Sequence, residues 1–323
     1  MAETPDAHET VAVVVVTHNR ADLLARMLDA LVVQTYPIAT VVVVDNASGD
    51  HTQQVLAGIG DRGDLPLHVI RSEENVGGAG GFRIGMETAY ADGWDRIWLM
   101  DDDVVPAPDC LAVLMGVDPG HTGHSDCLMC VREDLDGHLV EKSATTFDLR
   151  NPLAVKPKTA SVETTYGTRA AMPPLAEIEV VAFEGLLVRR EVVAAVGLPD
   201  AEFFIFYDDA DFALRARKAG FRIWAVRDAV LVRQLPFSQR HALDTWKGFY
   251  MYRNLFVVHF RHGENVLVRA KPYAITAAVV ALSPLRGGRA EAGNVIRAIR
   301  SARAMQRGRA SGVVESGEAT TPR

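Results

Sequence analysis

Short continuous apolar runs alternate along the chain with segments in which apolar residues recur at helical spacing. Residues 11–16 form an unbroken β-branched run, and residues 41–44 repeat it. Runs of this kind are typical of parallel strands that are buried on both faces of a sheet. Between them, residues 22–33 place apolar side chains along one face of a helix. The pattern therefore predicts a strand, a helix and a second strand.

The alternation continues and brings acidic residues to the ends of strands. We predict a helix at 50–59, a strand at 67–70, a helix at 82–91 and a strand at 96–100. Asp45 follows the second strand, and Asp101, Asp102 and Asp103 follow the fourth. Ligands of open α/β sheets bind outside the carboxyl ends of the strands. The fold class predicted is α/β, a Rossmann-like, doubly wound and mostly parallel sheet flanked by helices, with these aspartates on one rim.

The second half of the chain is regular only in parts. Residues 118–179 are rich in Thr, Pro and charge, as in an inserted acceptor-side region or a mobile loop, and we assign them no secondary structure. Beyond them we predict a strand at 180–188 and helices at 190–196, 208–219 and 246–262. An apolar run at 273–285 is too short to span a bilayer and is typical of a core or interfacial helix.

Charge is distributed unevenly. The formal net charge is −7, yet residues 261–323 carry 11 Arg and Lys against 4 acidic residues, so the body before them is near −14. The basic segment could meet anionic lipid or phosphate, or be a solvated, partly helical terminus. The acidic body argues against a nucleic-acid partner. Three cysteines form no disulfide framework and the start of the chain lacks a signal-peptide pattern, so we expect a cytoplasmic protein.

The aspartate triplet indicates chemistry on a diphosphate. Adjacent carboxylates repel one another unless a cation neutralises them, and Asp101 and Asp103 could present oxygens to one hard ion such as Mg²⁺ or Mn²⁺. The fingerprints of dinucleotide-binding and P-loop proteins do not occur. The Gly-rich segment 75–82 opens a predicted helix, where backbone amides favour an anion and glycines permit close approach.

Five ordered motifs carry a family resemblance. They lie at residues 15–20, 44–46, 75–82, 101–103 and 208–215. In this order they resemble the inverting family 2 glycosyltransferases of the GT-A fold, over residues 10–260. Within that family, Asn-x-Gly-Gly-x-Gly-Gly-aromatic, Met-Asp-Asp-Asp and Asp-Asp-Ala-Asp-aromatic resemble the bacterial galactofuranosyltransferases that build cell-wall galactan. Rhamnosyltransferases share most of the pattern.

The resemblance implies a nucleotide-sugar site in the first half of the chain. Asp45 would accept a hydrogen bond from the base or ribose, with Thr17 and Arg20 beside it, and Arg20 could also meet phosphate. Asp102 would point away from its two neighbours, toward the ribose or the sugar. The Gly-rich segment would line the donor through Asn75, Gly77, Gly78, Gly80 and Gly81.

The resemblance also implies the metal and the base. Asp101 and Asp103 would face a divalent cation on the donor diphosphate. Asp209 would remove the proton of the acceptor hydroxyl as it attacks the anomeric carbon from the face opposite the nucleotide, which inverts the configuration. Asp208, beside it, is a candidate contact to the acceptor or the diphosphate.

Two departures from the family pattern limit the transfer of roles. A histidine that often completes the metal site is replaced by Arg233 or Gln234. Arg233 could pair with the diphosphate directly, or His241 could reach back from the next loop. The chain also lacks the extra N-terminal domain of the galactan-polymerising enzymes, which favours a transferase that adds one or two residues to a primer.

Other residues have open interpretations. Trp246 and Arg253, in the helix at 246–262, either contact the acceptor or its phosphate, or serve packing and tie the helix to the catalytic domain. His121, His124, Cys127 and Cys130 are tetrahedral-site ligands by type, but their spacing is not standard and the two cysteines lie in a predicted buried strand. We expect core cysteines rather than zinc.

These observations predict the following organisation and activity. Residues 1–9 are a disordered N-terminus, 10–260 a GT-A domain with a nucleotide-binding half (about 10–117) and an acceptor half (about 118–260), 261–305 a basic helical extension, and 306–323 a disordered tail. We expect an inverting transferase that uses UDP-galactofuranose and a lipid-linked or cell-wall glycan acceptor, at the inner face of the plasma membrane. The alternatives are a rhamnosyltransferase using dTDP-rhamnose and a catalytically weak nucleotide-sugar-binding scaffold.

Overall fold

The chain folds into two compact units. The computed structural model describes residues 8–117, 126–154, 156–236, 243–283 and 289–316, with side chains as far as 307. The first unit comprises Met1–Phe147, Lys158–Ala201 and Asp208–Phe237, and the second comprises Asp148–Pro157, Glu202–Tyr207 and Ser238–Arg323.

A nine-stranded sheet forms the centre of the first unit, and a separate two-stranded sheet is formed by residues 144–147 and 158–161. The strands are β1 (Val11–Thr17), β2 (Thr40–Asp45), β3 (Leu67–Arg71), β4 (Arg96–Asp101), β5 (Val104–Pro106), β6 (Cys127–Glu133), β7 (Ala144–Phe147), β8 (Lys158–Ser161), β9 (Leu175–Ile178), β10 (Leu186–Arg189) and β11 (Ile223–Arg233). Strands β1, β2, β4 and β6 are almost entirely buried, as continuous apolar runs predict.

The large sheet has the order β3-β2-β1-β4-β10-β6-β11-β5, with β9 also paired to β11. Its first four strands are parallel. Strand β10 then runs antiparallel between β4 and β6, and β11 is parallel to β6. The predicted α/β architecture is confirmed, and the sheet is mixed because the strands after β4 include antiparallel pairs.

Seven helices belong to the described part of this unit. They are α1 (Ala21–Val32), α2 (Thr52–Arg62), α3 (Gly77–Ala91), α4 (Cys110–Met115), α5 (Val162–Tyr166), α6 (Arg190–Val196) and α7 (Asp208–Lys218). Helix α1 buries its apolar stripe on the sheet through Leu24, Met27 and Leu28. Apolar residues at three- and four-residue spacing produce this single buried face.

Two predicted boundaries were wrong. Helix α3 begins at Gly77 rather than at residue 82, although the Gly-rich segment opens it as predicted. The strand predicted at 180–188 is restricted to β10, Leu186–Arg189, because Gly185 adopts φ +112° and interrupts the extended backbone. Val180 instead forms an isolated bridge with Ala144.

The second unit is helical. It contains α8 (Trp246–His262), α9 (Val266–Leu282) and α10 (Arg289–Ser316), and both α9 and α10 pack against α8. Helix α10 continues past the predicted helical limit at 305. Of the predicted disordered ends, residues 1–7 and 317–323 lie outside the described residues, whereas Glu9 pairs with Arg96 at 2.6 Å and with Arg189. No described helix is long and apolar enough to cross a membrane.

Candidate active site

The carboxyl ends of three neighbouring strands meet around β1. The parallel register pairs Thr17 with Asp45 of β2, and Val16 with Asp101 of β4. This confirms the prediction that Asp45 and the aspartate triplet share one rim of the sheet. The end of β1 therefore brings the two acidic segments together.

Asp45 is completely buried and its carboxylate is held by its own chain. It accepts hydrogen bonds from the backbone amide of Ser48 at 2.9 Å, from Arg71 Nη1 at 2.5 Å and from the side chain of Gln53. A nucleotide that bonds to this carboxylate would replace one of the two side-chain donors. The nucleotide-binding role of Asp45 stays a prediction.

Asp102 does not follow the alternation predicted for a continuing strand, because β4 ends at Asp101 and the next two residues lie in a turn. Its Oδ2 accepts a hydrogen bond from the Thr17 hydroxyl at 2.8 Å, and its Oδ1 accepts one from Arg20 Nη1 at 2.9 Å. Asp102 is 3% exposed, while the Arg20 side chain remains about half exposed. Thr17, Arg20 and Asp102 thus form one connected group, with a guanidinium that can reach a phosphate.

Asp101 and Asp103 form a carboxylate cluster with Glu184. One oxygen of each side chain lies within 4.8 Å of an oxygen of the other two. Glu184 is the residue that sequence reasoning missed as a candidate ligand. It lies outside the aspartate motifs, and the strand predicted at 180–188 placed it inside a sheet rather than at an edge.

Gly185 explains how Glu184 reaches the aspartates. Strand β10 pairs Leu186 with Leu99, and the Gly185 amide donates to the Leu99 carbonyl at 2.7 Å. The same antiparallel register carries Glu184 to the level of Asp101. A Cβ at position 185 would lie 2.5 Å from Leu231 Cδ1, so only glycine permits this approach of the backbone.

Arginines surround the carboxylate cluster. Arg233 Nη2 lies 3.2 Å from Asp103 Oδ2, and its Nη1 lies 2.5 Å from Glu184 Oε2. Arg20 Nη1 approaches the same Asp103 oxygen at 3.3 Å, and Arg132 also pairs with Glu184. Arg233, at the position of the expected histidine, therefore contacts two of the three carboxylates in the cluster, Asp103 and Glu184.

Burial dominates the titration of the triplet. It raises the pKa of Asp101 well above the ordinary value, and the charges of Glu184 and Asp103 add to the effect. Burial likewise raises the pKa of Asp103, although Arg233 opposes it. Clustered carboxyls in this state bind a cation readily, since a cation removes their mutual repulsion.

The cluster fits a hard divalent cation. Three carboxylates supply the oxygen ligands that Mg²⁺ and Mn²⁺ prefer. Asp103 Oδ1 is buried and has no hydrogen-bond partner among the described residues, although buried carboxylate oxygens are normally satisfied. An orphaned oxygen at the centre of such a cluster is suited to a metal ligand.

The glycines of α3 have two different environments. A Cβ at Gly81 would lie 2.5 Å from Val16 Cγ1, and one at Gly80 would lie 2.7 Å from Val76 Cβ, so these two glycines allow tight packing. Gly78 has nothing within 4 Å of its Cβ position, and Gly77 has φ +74°. Asn75 accepts a hydrogen bond from the Gly77 amide. Their contacts to a donor remain a prediction, and Gly78 has the open surroundings that such a contact needs.

Asp209 lies in the first turn of α7, the second acidic cluster. Its Oδ1 accepts a hydrogen bond from the Ala210 amide at 2.6 Å. Burial raises the pKa of Asp209 to about 6; the Ala210 amide opposes this effect, and the charge of Glu184 adds to it. Burial and the charge of Asp209 raise the pKa of Asp208 well above the ordinary value. Asp209 therefore combines an electrostatic link to Glu184 with a pKa suited to proton transfer near neutral pH.

In the second unit, Arg253 and Asn254 bind the loop at residues 202–207. Arg253 Nη2 donates to the carbonyls of Glu202 and Phe203, at 2.6 and 2.8 Å. Asn254 Nδ2 donates to three carbonyls, those of Phe203, Ile205 and Phe206. These bonds support the packing interpretation of Arg253, and an acceptor contact stays a prediction.

The same loop carries unusual backbone conformations and an aromatic cluster. Phe204, Phe206 and Tyr207 have φ between 62° and 68°, which is rare for bulky residues and costs backbone energy. Phe204 stacks on Tyr250 at 5.0 Å between ring centroids, and Trp246 contacts both rings. Trp246 is 56% exposed, so part of its ring is available to a ligand. Tyr207 is followed in the chain by Asp208.

Neither His241 nor the zinc ligands considered in the sequence can be placed in the site. His241 lies outside the described residues, as do His121 and His124. Cys127 and Cys130 are both buried in β6, three residues apart, so they point to opposite faces of the sheet. Cys130 Sγ lies 3.5 Å from Cys110 Sγ in the core, which agrees with the expectation of core cysteines.

Comparisons with known proteins decide the family. A model of "Glycosyl transferase family 2" matches residues 12–122. Galactofuranosyltransferase GlfT1 of Mycolicibacterium smegmatis is 33% identical over 216 residues, which covers 66% of this chain and 67% of that protein. The GlfT1 protein of Mycobacterium tuberculosis is 31% identical over 262 residues, covering 76% and 81%. This chain is a family 2 glycosyltransferase.

Solved structures show that this glycosyltransferase has the GT-A fold. The mannosyltransferase PcManGT from Pyrobaculum calidifontis, in complex with GDP-Man and Mn²⁺, aligns with a TM-score of 0.55 and 23% identity over 94% of this chain and 83% of that one. S. aureus TarS 1–349 in complex with UDP-GlcNAc aligns with a TM-score of 0.52 and 17% identity, over 90% and 79%. A second TarS structure contains a longer chain, and the alignment covers 43% of that chain and 85% of this one.

Proposed function

We propose that this glycosyltransferase moves a galactofuranosyl group from UDP-galactofuranose to a hydroxyl of a lipid-linked or cell-wall glycan, with inversion. The observation that carries the proposal is the Asp101–Asp103–Glu184 carboxylate cluster, in a unit that also holds Asp209 in the first turn of α7, because transfer needs a cation site for the leaving diphosphate and a base for the acceptor. Two relatives named galactofuranosyltransferases support the choice of sugar.

On the donor side, the chain offers two kinds of side chain for a nucleotide diphosphate: carboxylates that would hold a cation, and arginines that would contact phosphate. A divalent cation on Asp101 and Asp103 would screen the charge that grows on the leaving nucleotide. Arg20 Nη1 lies 2.9 Å from Asp102 and is partly exposed, so it can turn a second donor toward phosphate. Arg233 is held between Asp103 and Glu184, where it would add positive charge near the same phosphates.

On the acceptor side, Asp209 would accept the proton of the attacking hydroxyl. With a pKa of about 6 it is mostly ionised at neutral pH, yet more basic than an ordinary aspartate, as an effective general base requires. A single displacement from the face opposite the nucleotide inverts the anomeric centre. Trp246, in the second unit, has an exposed ring on which a sugar could stack, and its contact to the acceptor stays a prediction.

Release of nucleotide tests this proposal. The purified protein with Mn²⁺ and a galactan-type acceptor should release UDP from UDP-galactofuranose, and Asp209→Asn should abolish release. Asp228→Asn is the matched control, since Asp228 is an exposed aspartate paired with Arg227 on β11. Turnover of dTDP-rhamnose alone would assign the rhamnosyltransferase alternative, and nucleotide binding without turnover of either donor would assign the scaffold.

We also propose that the second unit contacts an anionic membrane surface. Helix α9 exposes Val266, Leu267 and Tyr273, at 80%, 65% and 48%. A groove of about 480 Å³ between α9 and α10 is lined by apolar side chains and by Arg300 and Arg303. Apolar side chains beside arginines are typical of helices that lie in the headgroup region.

Vesicle sedimentation tests the membrane contact. Binding to vesicles that contain phosphatidylglycerol should exceed binding to neutral vesicles. Each basic residue near an anionic surface contributes about 1 kcal/mol, so Arg300→Glu with Arg303→Glu should weaken binding by about thirtyfold or more. Arg62→Glu with Arg222→Glu, at two exposed arginines of the first unit, is the control for the same change of net charge, and equal loss in both proteins would contradict this surface.

A further inference from the structure

A continuous ion-pair network surrounds Asp103. Arg20 pairs with Asp102 and Asp103, Arg233 pairs with Asp103 and Glu184, and Arg132 pairs with Glu184 and Glu141. Nearly all of these carboxylates are buried; Asp103 is 2% exposed and Glu141 is completely buried. Charges in such surroundings are strongly coupled, because the local dielectric is low.

The network has more negative than positive charge. With Asp101, which belongs to the same carboxylate cluster, it contains five carboxylates against three guanidinium groups. Arginine stays protonated in proteins, so the formal excess is two negative charges. A buried excess of this kind is costly unless it is compensated. One divalent cation would compensate it completely.

Asp103 has one buried carboxylate oxygen without a hydrogen-bond partner among the described residues, and this oxygen indicates where a cation would bind. Asp103 Oδ2 faces Arg20 and Arg233, whereas its buried Oδ1 has no hydrogen-bond partner among the described residues. The carboxylates of Asp101 and Glu184 lie within 4.8 Å of that of Asp103. A cation at the cluster would give this oxygen a partner.

We infer that Glu184 is the third protein ligand of the divalent cation. This inference rests on the metal-assisted transfer proposed above and assigns the ligand that Arg233 cannot supply. Arginine has no acceptor atom, so Arg233 cannot take the place of a metal-binding imidazole. Glu184 supplies an oxygen instead, from a strand that the aspartate motifs do not include.

Arg132 and Arg233 act as positioning residues for this ligand. Both contact Glu184 Oε2. Hydrogen bonds that fix one oxygen of a ligating carboxylate orient the other and tune its basicity. Arg132 is itself anchored by two contacts to the buried Glu141, at 2.8 and 2.9 Å. The arginines therefore fix the side chain of Glu184 before any ion binds.

Binding of Mn²⁺ alone tests the inference without catalysis. The loss of the free-ion electron paramagnetic resonance signal is measured during titration of the full chain with Mn²⁺, with and without UDP. Glu184→Gln keeps the size of the side chain and removes its charge, and it should weaken Mn²⁺ binding by about 10- to 100-fold. Glu177→Gln is the matched control: Glu177 lies on β9 and forms an exposed ion pair with Arg222, and this variant should bind Mn²⁺ as the native chain does.

A second variant covers a failure of Glu184→Gln to fold. Glu184→Asp keeps the negative charge but withdraws the carboxylate by one methylene, while Arg132 and Arg233 keep their pairs with Glu141 and Asp103, so it should also weaken Mn²⁺ binding. Equal Mn²⁺ affinity in the native chain and a folded Glu184 variant would overturn the inference, while Mn²⁺-dependent release of UDP would still uphold the proposed function. Absence of any transfer by a native chain that does bind Mn²⁺ through Glu184 would overturn the proposed function alone.

Discussion

Replacement of Asp209 by asparagine should reduce activity and increase stability together. The pKa of Asp209 is raised from 3.8 to about 6, chiefly by burial. Each pH unit between the two values corresponds to about 1.4 kcal/mol, so the ionised side chain costs the folded state up to about 3 kcal/mol. Asparagine has similar size and no charge, and therefore removes this cost.

The sign of the pH dependence follows from the raised pKa. Below pH 3.8 the carboxyl is protonated in both the folded and the unfolded chain, and the variant gains nothing. Between pH 3.8 and about 6 the unfolded chain ionises first, so the native protein loses stability relative to the variant as pH rises. Above about pH 6 the advantage of Asp209→Asn is complete.

Urea unfolding and kinetics measure the two effects. The difference in unfolding free energy between Asp209→Asn and the native chain should be small at pH 4 and largest at pH 8, and it includes the coupled change in Asp208, whose pKa the charge of Asp209 raises. The rate of transfer should fall by about 10²- to 10⁴-fold, and the native kcat/KM should decline below about pH 6. A stability difference that does not change with pH, or near-native turnover by the variant, would refute the reasoning.

Three further predictions, which use four substitutions, test other parts of the chain. Gly81→Ala should destabilise the protein by about 1–3 kcal/mol in urea unfolding, because its Cβ would lie 2.5 Å from Val16. Gly78→Ala, whose Cβ would meet nothing within 4 Å, should leave stability unchanged or raise it. Equal effects of the two substitutions would contradict the packing argument. Asp103→Ala should weaken calorimetric UDP binding in the presence of Mn²⁺ and abolish the gain in affinity that Mn²⁺ gives the native chain, and transfer that survives chelation would exclude the metal. Asn254→Ala should lower the melting temperature, since three loop carbonyls lose their amide donor; unchanged melting would show that the loop needs no such support.

Much of the first half of the fold follows from local sequence. The runs at 11–16 and 41–44 are too apolar and too β-branched for anything but buried strands, and parallel pairing then requires their carboxyl ends to meet. Asp45 and Asp101 consequently lie on either side of β1. The direction in which Asp102 points did not follow from local sequence, because β4 ends at Asp101 and the next two residues form a turn instead of extended chain.

The ligand role of Glu184 depends on long-range pairing that no local pattern reveals. Its approach to Asp101 requires β10 to insert antiparallel beside β4 and requires Gly185 to adopt a left-handed conformation. The Phe183-Glu184-Gly185 sequence carries one hint, a glycine inside a strand pattern, which often marks close backbone approach. Gly81 of α3 has a packing role that the motif did not reveal, because a Cβ there would lie 2.5 Å from Val16 Cγ1, while its contact to a donor stays a prediction.

Calorimetric titration with nucleotides tests the central claim most directly. The native chain is titrated with UDP and with dTDP, each with and without Mn²⁺, and then with the matching sugar nucleotides. The account predicts tight binding of UDP that requires Mn²⁺ and is lost in Asp103→Ala. Preference for dTDP would contradict the galactofuranosyl donor, and absence of nucleotide binding would contradict the account of this site as a sugar-nucleotide transferase centre.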